Sequence, residues 1–146
     1  MKVLVINGPN MNMLGRRDPA IYGYMTLADI EARVRQRAKE LGVEVGIFQS
    51  NSEGDIIDFL QSTAPLASGI IINPGALTHY GLSLREALVD TGIPVVEVHL
   101  SNIYAREPWR GTSVVAPVAR GQISGLGPRG YIAALEFLAA IAGESR

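Results

Sequence analysis

Residues 69–79 read GIIINPGALTH, an apolar run that breaks into a polar bend. Two other stretches have the same shape: VLVINGPNMN from Val3 and PVVEVHLSN from Pro94. Short runs of apolar or β-branched residues suit strands buried on both faces, as in a parallel sheet covered by helices. Parallel strands send their polar tails out at one edge, and in open α/β sheets that edge binds ligands. The tails here carry Asn7, Asn10, Asn12, Asn73, His79, Glu97, His99, Ser101 and Asn102. These side chains are expected in one cleft, and that gathering points to an enzyme.

The segments between these strands complete the pattern. Residues 7–24 form a long loop rich in Gly, Pro, Asn and Arg, and loops of that length in compact domains are often functional. Thr26 caps a helix with Asp29 in its first turn. Leu27, Ile30, Val34, Ala38 and Leu41 mark its apolar face, and Gly42 ends it. A second strand is expected over 43–48, a short helix over 52–61 with Ile56, Ile57 and Leu60 inward, and another helix around 83–90 closed by Gly92. The fourth strand covers 94–99 and is followed by a polar loop over 100–112. Residues 114–124 contain a fifth strand whose limits are blurred by Pro117 and Gly121. Pro128 stands where a helix's first turn tolerates it, and Tyr131, Leu135, Leu138 and Ala142 form the inward stripe of the last helix. The alternation predicts an α/β fold: a flavodoxin-like, doubly wound, five-stranded parallel sheet of order 2-1-3-4-5 with helices on both faces. Residues 1–146 are expected to form a single domain.

Composition narrows the function. The chain is 47% hydrophobic and 18% charged, which is globular rather than disordered. A net charge of -1 with scattered basic residues gives no footprint for nucleic acid or an acidic membrane. The absence of cysteine removes disulfide scaffolds, thiol nucleophiles and cysteine metal sites, and it fits a reducing cytoplasm. The opening apolar run is too short for a signal peptide or a membrane span. The only lysines are Lys2 and Lys39.

Several motifs have competing readings. GLGPRG, residues 125–130, matches a dinucleotide-binding pattern, but one helix follows where that motif needs a βαβ unit, so a tight turn is the better reading. Glu97, His99 and Ser101 alternate along one strand and its exit, on one side. No nucleophile elbow exposes the serine, so a Ser-His-Glu triad is disfavoured. Glu97 orienting or charging His99, with His99 as acid or base, is preferred over a merely structural histidine. His79, His99 and Glu97 lack the close spacing of a metal site, and no metal is expected. Residues 73–76, NPGA, read equally well as a turn or as a backbone cradle for a hydroxylated ligand. Arg16, Arg17 and Tyr22 in the first loop read either as a solvated loop with a packed tyrosine or as chemistry. A tyrosine hydroxyl ordinarily keeps its proton at neutral pH, but adjacent guanidinium groups would favour a phenolate able to abstract a proton beside a carbonyl. Arg106 and Arg110 are placed to add to that field or to grip a carboxylate.

Taken together, INGPNMNMLGRRDPAIYG, INPGALTHYGLSLREAL, EVHLSNIYAREPWR and ISGLGPRGYIAAL closely resemble the type II 3-dehydroquinate dehydratases, in order and over nearly the whole chain. The resemblance implies a lyase that takes 3-dehydroquinate to 3-dehydroshikimate in the shikimate pathway, through an enolate. It also implies no cofactor and a homo-oligomer, a dodecamer built from trimers. It assigns Tyr22 as the proton-abstracting tyrosine, Arg17 as the transition-state arginine and Asn12 as the asparagine that positions a water. His99 becomes the general acid and Glu97 its carboxylate neighbour. Asn73, His79, Leu100, Ser101 and Arg110 become substrate contacts. Glu86 stands where the family commonly has an aspartate that reaches a neighbouring subunit's site. Met11, Met13, Gly111, Thr112, Tyr80 and Gly81 also depart from the common pattern without touching a residue of assigned chemical role. The alternatives are a flavodoxin-type nucleotide or flavin module and a receiver-type module. The latter needs acidic residues where this chain has Asn7 and Asn73.

Overall fold

A computed structural model describes residues 1–144. Five strands, β1 (Lys2–Asn7), β2 (Glu44–Gln49), β3 (Gly69–Asn73), β4 (Val95–His99) and β5 (Gly121–Ser124), form a parallel sheet in the order β2-β1-β3-β4-β5. This is the expected α/β, flavodoxin-like arrangement. The helices are α1 (Pro19–Tyr22), α2 (Leu27–Leu41), α3 (Glu53–Thr63), α4 (Leu82–Thr91) and α5 (Arg129–Glu144). Among the described residues, no helix is long and apolar enough to cross a membrane.

Strand alternation divides the core into two layers. Val3, Val5, Ile71, Val96 and Val98 face α2 and α5, where Ile30, Val34, Tyr131 and Leu135 pack on them. Leu4, Ile6, Ile70, Ile72 and Val95 face the other way, toward Ile56 and Leu60 of α3 and Leu84 and Leu88 of α4. A strand buried on both faces needs apolar residues in consecutive positions, which is why β1 and β3 read as unbroken runs and β4 is interrupted only by Glu97 before its polar exit. The two edge strands, β2 and β5, leave their residues partly open.

Local chemistry sets the helix ends. Thr26 Oγ1 accepts the Asp29 N–H at 3.1 Å while Asp29 Oδ2 accepts the Thr26 N–H at 3.0 Å, a reciprocal box that starts α2. Gly42, at φ 70°, closes it. Ser52 caps α3. Within the long first loop, Asp18 accepts the Ala20 N–H at 3.0 Å and Pro19 supplies a preset first turn, so four residues form α1 where only loop was expected. The fifth strand is also shorter than the window that held it. Pro117 sits in a 3-10 turn over Ala116–Val118, and pairing with β4 begins only at Gly121.

The register decides what reaches the carboxyl edge. Asn7 pairs with Asn73, Ile72 with Glu97, and His99 with Ser124. The β1 and β3 exits touch through backbone: the Gly8 N–H donates to the Asn73 carbonyl at 2.8 Å. A Cβ on Gly8 would lie 2.4 Å from the Pro74 carbonyl oxygen. Gly8→Ala must therefore push the two exits apart. It is expected to cost about 1–3 kcal/mol of unfolding free energy, as overpacking of a rigid contact does, and urea denaturation would measure this. An unchanged midpoint would show that the contact yields freely.

Candidate active site

The exits of β1, β3 and β4 and the loops after them enclose a cavity of about 200 Å³. Arg17, Tyr22, Asn73, His79, His99, Leu100, Ser101, Arg106 and Arg110 all line it. Tyr22, at the end of α1, and His99, at the end of β4, thus line the same space.

Tyr22 is the last residue of α1 and is half-buried. Its hydroxyl oxygen accepts from Arg17 Nη2 at 2.9 Å and from Arg106 Nη1 at 3.0 Å. The Arg17 guanidinium also stands 3.9 Å from the centre of the Tyr22 ring. Arg106 comes from the polar loop after β4, so it ties that loop to the first one. Its Nη1 donates to Ser101 Oγ at 3.3 Å as well, and its Nε is buried without a partner. Arginine only donates, so both contacts bring positive charge to one oxygen. Arg110 makes no bond to Tyr22 and is steadied by other contacts. Its Nε donates to Glu107 at 2.6 Å and its guanidinium lies 4.2 Å from the Trp109 ring centre.

The opposite pole is a buried acid–imidazole pair. Glu97 is fully buried on β4, and its Oε2 contacts His99 Nε2. Three further donors converge on the carboxylate: Thr78 Oγ1 at 2.5 Å, Ser113 Oγ at 2.8 Å and Gln122 Nε2 at 3.0 Å. Burial alone pushes the carboxyl up. The hydrogen bonds from His99, Thr78 and Ser113, with the charge of His99, outweigh it and hold Glu97 below its ordinary 4.5. Glu97 occupies Nε2, which leaves Nδ1 of His99 as the nitrogen available to a ligand. The end of β4 is braced from β5: the N–H groups of Gly125 and Gly127 donate to the carbonyls of His99 and Leu100. The GLGPRG segment is accordingly a turn between β5 and α5, as read from the sequence.

Asn73 and His79 come from the β3 exit. Asn73 Oδ1 accepts the Gly75 N–H at 3.2 Å, and the chain then enters a 3-10 turn over Gly75–His79. The segment left open between turn and cradle is a turn whose Gly75 and Ala76 also line the cavity. His79 Nδ1 donates to the Thr112 carbonyl at 2.7 Å, and its ring meets Trp109 edge-on at 5.0 Å. Among the described residues, no three His, Cys, Asp or Glu side chains stand close enough to hold a metal ion.

Three assigned residues do not line this cavity: Glu97, which is buried against His99, Asn12 and Glu86. Asn12 is exposed on the 3-10 turn Met11–Met13 and does not line the cleft. The asparagine of this loop that does is Asn10, held at φ 69° with its N–H on Asn51 Oδ1 at 2.9 Å. The reason is local. After Pro9 the chain turns sharply, and asparagine tolerates the left-handed conformation at residue 10, which lines the cavity while staying exposed. Glu86 is exposed on α4 and lies outside this chain's own cleft. Sequence reasoning also left undecided which loop arginine joins Arg17, and it missed the cage around Glu97. The alternation of Glu97 with His99 was the available signal for the pair, but Thr78, Ser113 and Gln122 lie at unrelated sequence distances.

Comparison with known proteins follows the same line. The Dehydroquinase class II family model matches residues 1–139. A 3-dehydroquinate dehydratase from Roseiflexus castenholzii is 60% identical over 144 residues, covering 99% of this chain and 92% of that protein. One from Pelotomaculum thermopropionicum is 52% identical, covering 98% and 99%. The crystal structure of type II dehydroquinase from Propionibacterium acnes superposes with a TM-score of 0.91 at 43% identity, covering 95% of this chain and 96% of the other. The sheet order, the cleft and these matches agree, and the chain belongs to the class II dehydroquinase family.

Proposed function

We infer that this chain dehydrates 3-dehydroquinate to 3-dehydroshikimate, a hydro-lyase step of the shikimate pathway toward aromatic amino acids. The single observation that carries the mechanism is a phenol oxygen between two guanidinium groups, facing an imidazole–carboxylate pair across one small cavity.

Tyr22, as phenolate, takes a proton from C2 of the substrate, beside its carbonyl. Arg17 and Arg106 stabilise the phenolate, which can accept both of their hydrogen bonds. The C2–H electron pair moves into the carbonyl system as an enolate. Asn10, through a water, stabilises the enolate oxygen. The enolate collapses, the C1–O bond breaks in an anti elimination, and His99 delivers a proton to the departing hydroxyl, so water leaves. The proton gained by Tyr22 matches the one lost by His99, and the net change is loss of one water. Glu97 stabilises the charged imidazole and fixes its ring. Asn73, His79, Leu100, Ser101 and Arg110 hold the substrate's polar groups, Arg110 acting on a carboxylate. No cofactor enters this scheme. Residues 1–146 act as one catalytic domain in the cytoplasm, in a dodecamer built from trimers. Glu86, exposed on α4, is available to a neighbouring subunit's site.

A flavin or receiver module suits the same sheet less well. The loop after β1 offers the cavity Asn10, Arg17 and Tyr22 in place of a run of backbone amides around a phosphate, and β1 and β3 end in Asn7 and Asn73.

Purified protein given 3-dehydroquinate should generate the ultraviolet absorbance of a conjugated enone. A rate no faster than without protein would overturn the assignment. Tyr22→Phe is expected to keep the wild-type melting temperature and lose about 10³-fold in kcat, the scale of losing a positioned base. Near-wild-type turnover would remove Tyr22 from the mechanism. Asn10→Ala should lower kcat by about 10²-fold, as loss of an oxyanion donor does, while Asn12→Ala stays within about threefold. The opposite ranking would return the role to Asn12.

Glu97 adds a pH dependence of stability. Its folded value lies below the ordinary 4.5, so its contribution is fully present above about pH 4.5 and is lost as pH falls through the lower folded value. The unfolding free-energy gap between wild type and Glu97→Gln should be wide at pH 7 and narrow below pH 4.5. A gap that stays constant across a urea series at several pH values would contradict this.

A further inference from the structure

Beneath the cavity floor lies a polar group that the proposed chemistry does not use. Tyr131 of α5 is fully buried, with 0% exposure, yet its hydroxyl reaches across to the ends of β1 and β3. It donates to Asn7 Oδ1 at 2.5 Å and accepts from Asn73 Nδ2 at 3.0 Å. The direction of each bond follows from one fixed donor. The Gly75 backbone N–H can only donate, so the atom of Asn73 that meets it is the carbonyl oxygen. The amide nitrogen of Asn73 therefore faces Tyr131 and must donate. The single hydroxyl hydrogen of Tyr131 is then free to go to Asn7. Burial pushes the Tyr131 phenol up, so that hydrogen stays in place throughout the working range.

Two bonds thus hold the amide of a cleft-lining residue in one orientation, and one Asn73 N–H is left over for the cavity. We propose that Tyr131 is a positioning residue: from the far layer of the fold it orients the Asn73 amide so that it presents a donor, and not an acceptor, to a substrate oxygen. The inference rests on the proposed reading of this cleft as a dehydroquinate site. Its consequence is selectivity for a ligand with a hydroxyl, carbonyl or carboxylate oxygen at that point. Asn7 serves as the sink for the phenol hydrogen. Its Nδ2 has no partner in the buried environment, which a purely stabilising polar cluster would not favour.

Tyr131→Phe keeps the ring and removes only the hydroxyl. Asn73 then keeps only the bond from the Gly75 N–H, and its amide can rotate away from the orientation that two bonds hold. The expected result is a KM for 3-dehydroquinate raised about tenfold with kcat within about twofold, the size of one misdirected hydrogen bond. A merely structural tyrosine would lower the melting temperature and leave KM of the folded protein unchanged, and that outcome would overturn the proposal. If Tyr131→Phe does not fold, Asn7→Leu makes the same test. It frees the phenol hydrogen to compete at Asn73, and KM should again rise, whereas an unchanged KM counts against the proposal. If the wild-type protein does not turn over 3-dehydroquinate, the functional reading fails by itself. A crystal structure of the variant then decides the positioning claim: a rotated Asn73 amide supports it and an unmoved one refutes it.

Discussion

A carboxylate with no access to water must be surrounded by donors or give up its charge. Glu97 is in that position, and much of the molecule is arranged around it. Its donors come from the turn after β3 (Thr78), the loop before β5 (Ser113), β5 itself (Gln122) and its own strand (His99). No two of these lie on the same element, apart from His99 and Glu97. The carboxylate therefore fastens the carboxyl ends of three adjacent strands in one geometry. An apolar residue at 97 would remove the burial penalty, but it would leave Thr78, Ser113 and Gln122 without their shared acceptor, and the imidazole of His99 without a counter-charge. The rigidity of the His99 side of the cleft follows from that electrostatic requirement.

The tyrosine side of the cleft is built on a different principle. Tyr22 sits on a four-residue helix in a long loop, and its oxygen is held by side chains from two loops, not by the sheet. Guanidinium groups reach far and keep their charge in any surroundings, so they can gather on one oxygen without a rigid floor beneath them. The contacts of Arg106 to both Tyr22 and Ser101 make the loop after β4 dependent on the loop after β1. One pole is fixed by the sheet and the other assembled by charge, an arrangement that suits a site where a small molecule must enter between them.

The sheet was legible because its central strands are buried on both faces, which favours apolar runs, and because β1 and β3 run straight into Asn, Gly and Pro. Helix ends were legible for a similar reason: Thr26, Gly42, Ser52 and Gly92 act within a few residues of the positions they terminate. What escaped depends on long-range placement. α1 rests on one Asp18 contact inside a loop with no hydrophobic period. The Glu97 cage joins residues separated by 16 to 25 positions, and the Asn7–Tyr131 bond spans 124. The placement of Asn10, and not Asn12, at the cavity has the same origin. Two asparagines two residues apart are equivalent as letters, and only the left-handed turn at residue 10 sets apart the one that lines the cavity.

The cleft's composition also bears on which elimination chemistry it can run. A covalent route through an imine needs an amine within reach of the substrate carbonyl, and this chain has two lysines. Lys2 is the first residue of β1, at the sheet edge opposite the cavity, and Lys39 is exposed in the last turn of α2. Neither lines the cavity. The cations that do are arginines, which hold their protons and cannot form such an adduct. Negative charge that develops on the substrate must then be met by fixed donors and not relayed into a cofactor-like electron sink. A site of this kind works only if its donors are already aimed before the proton moves, because reorienting them during the step would return most of the gain. That demand explains why buried hydrogen bonds, those around Glu97 and the one from Asn73 to Tyr131, lie just behind the groups that line the cavity.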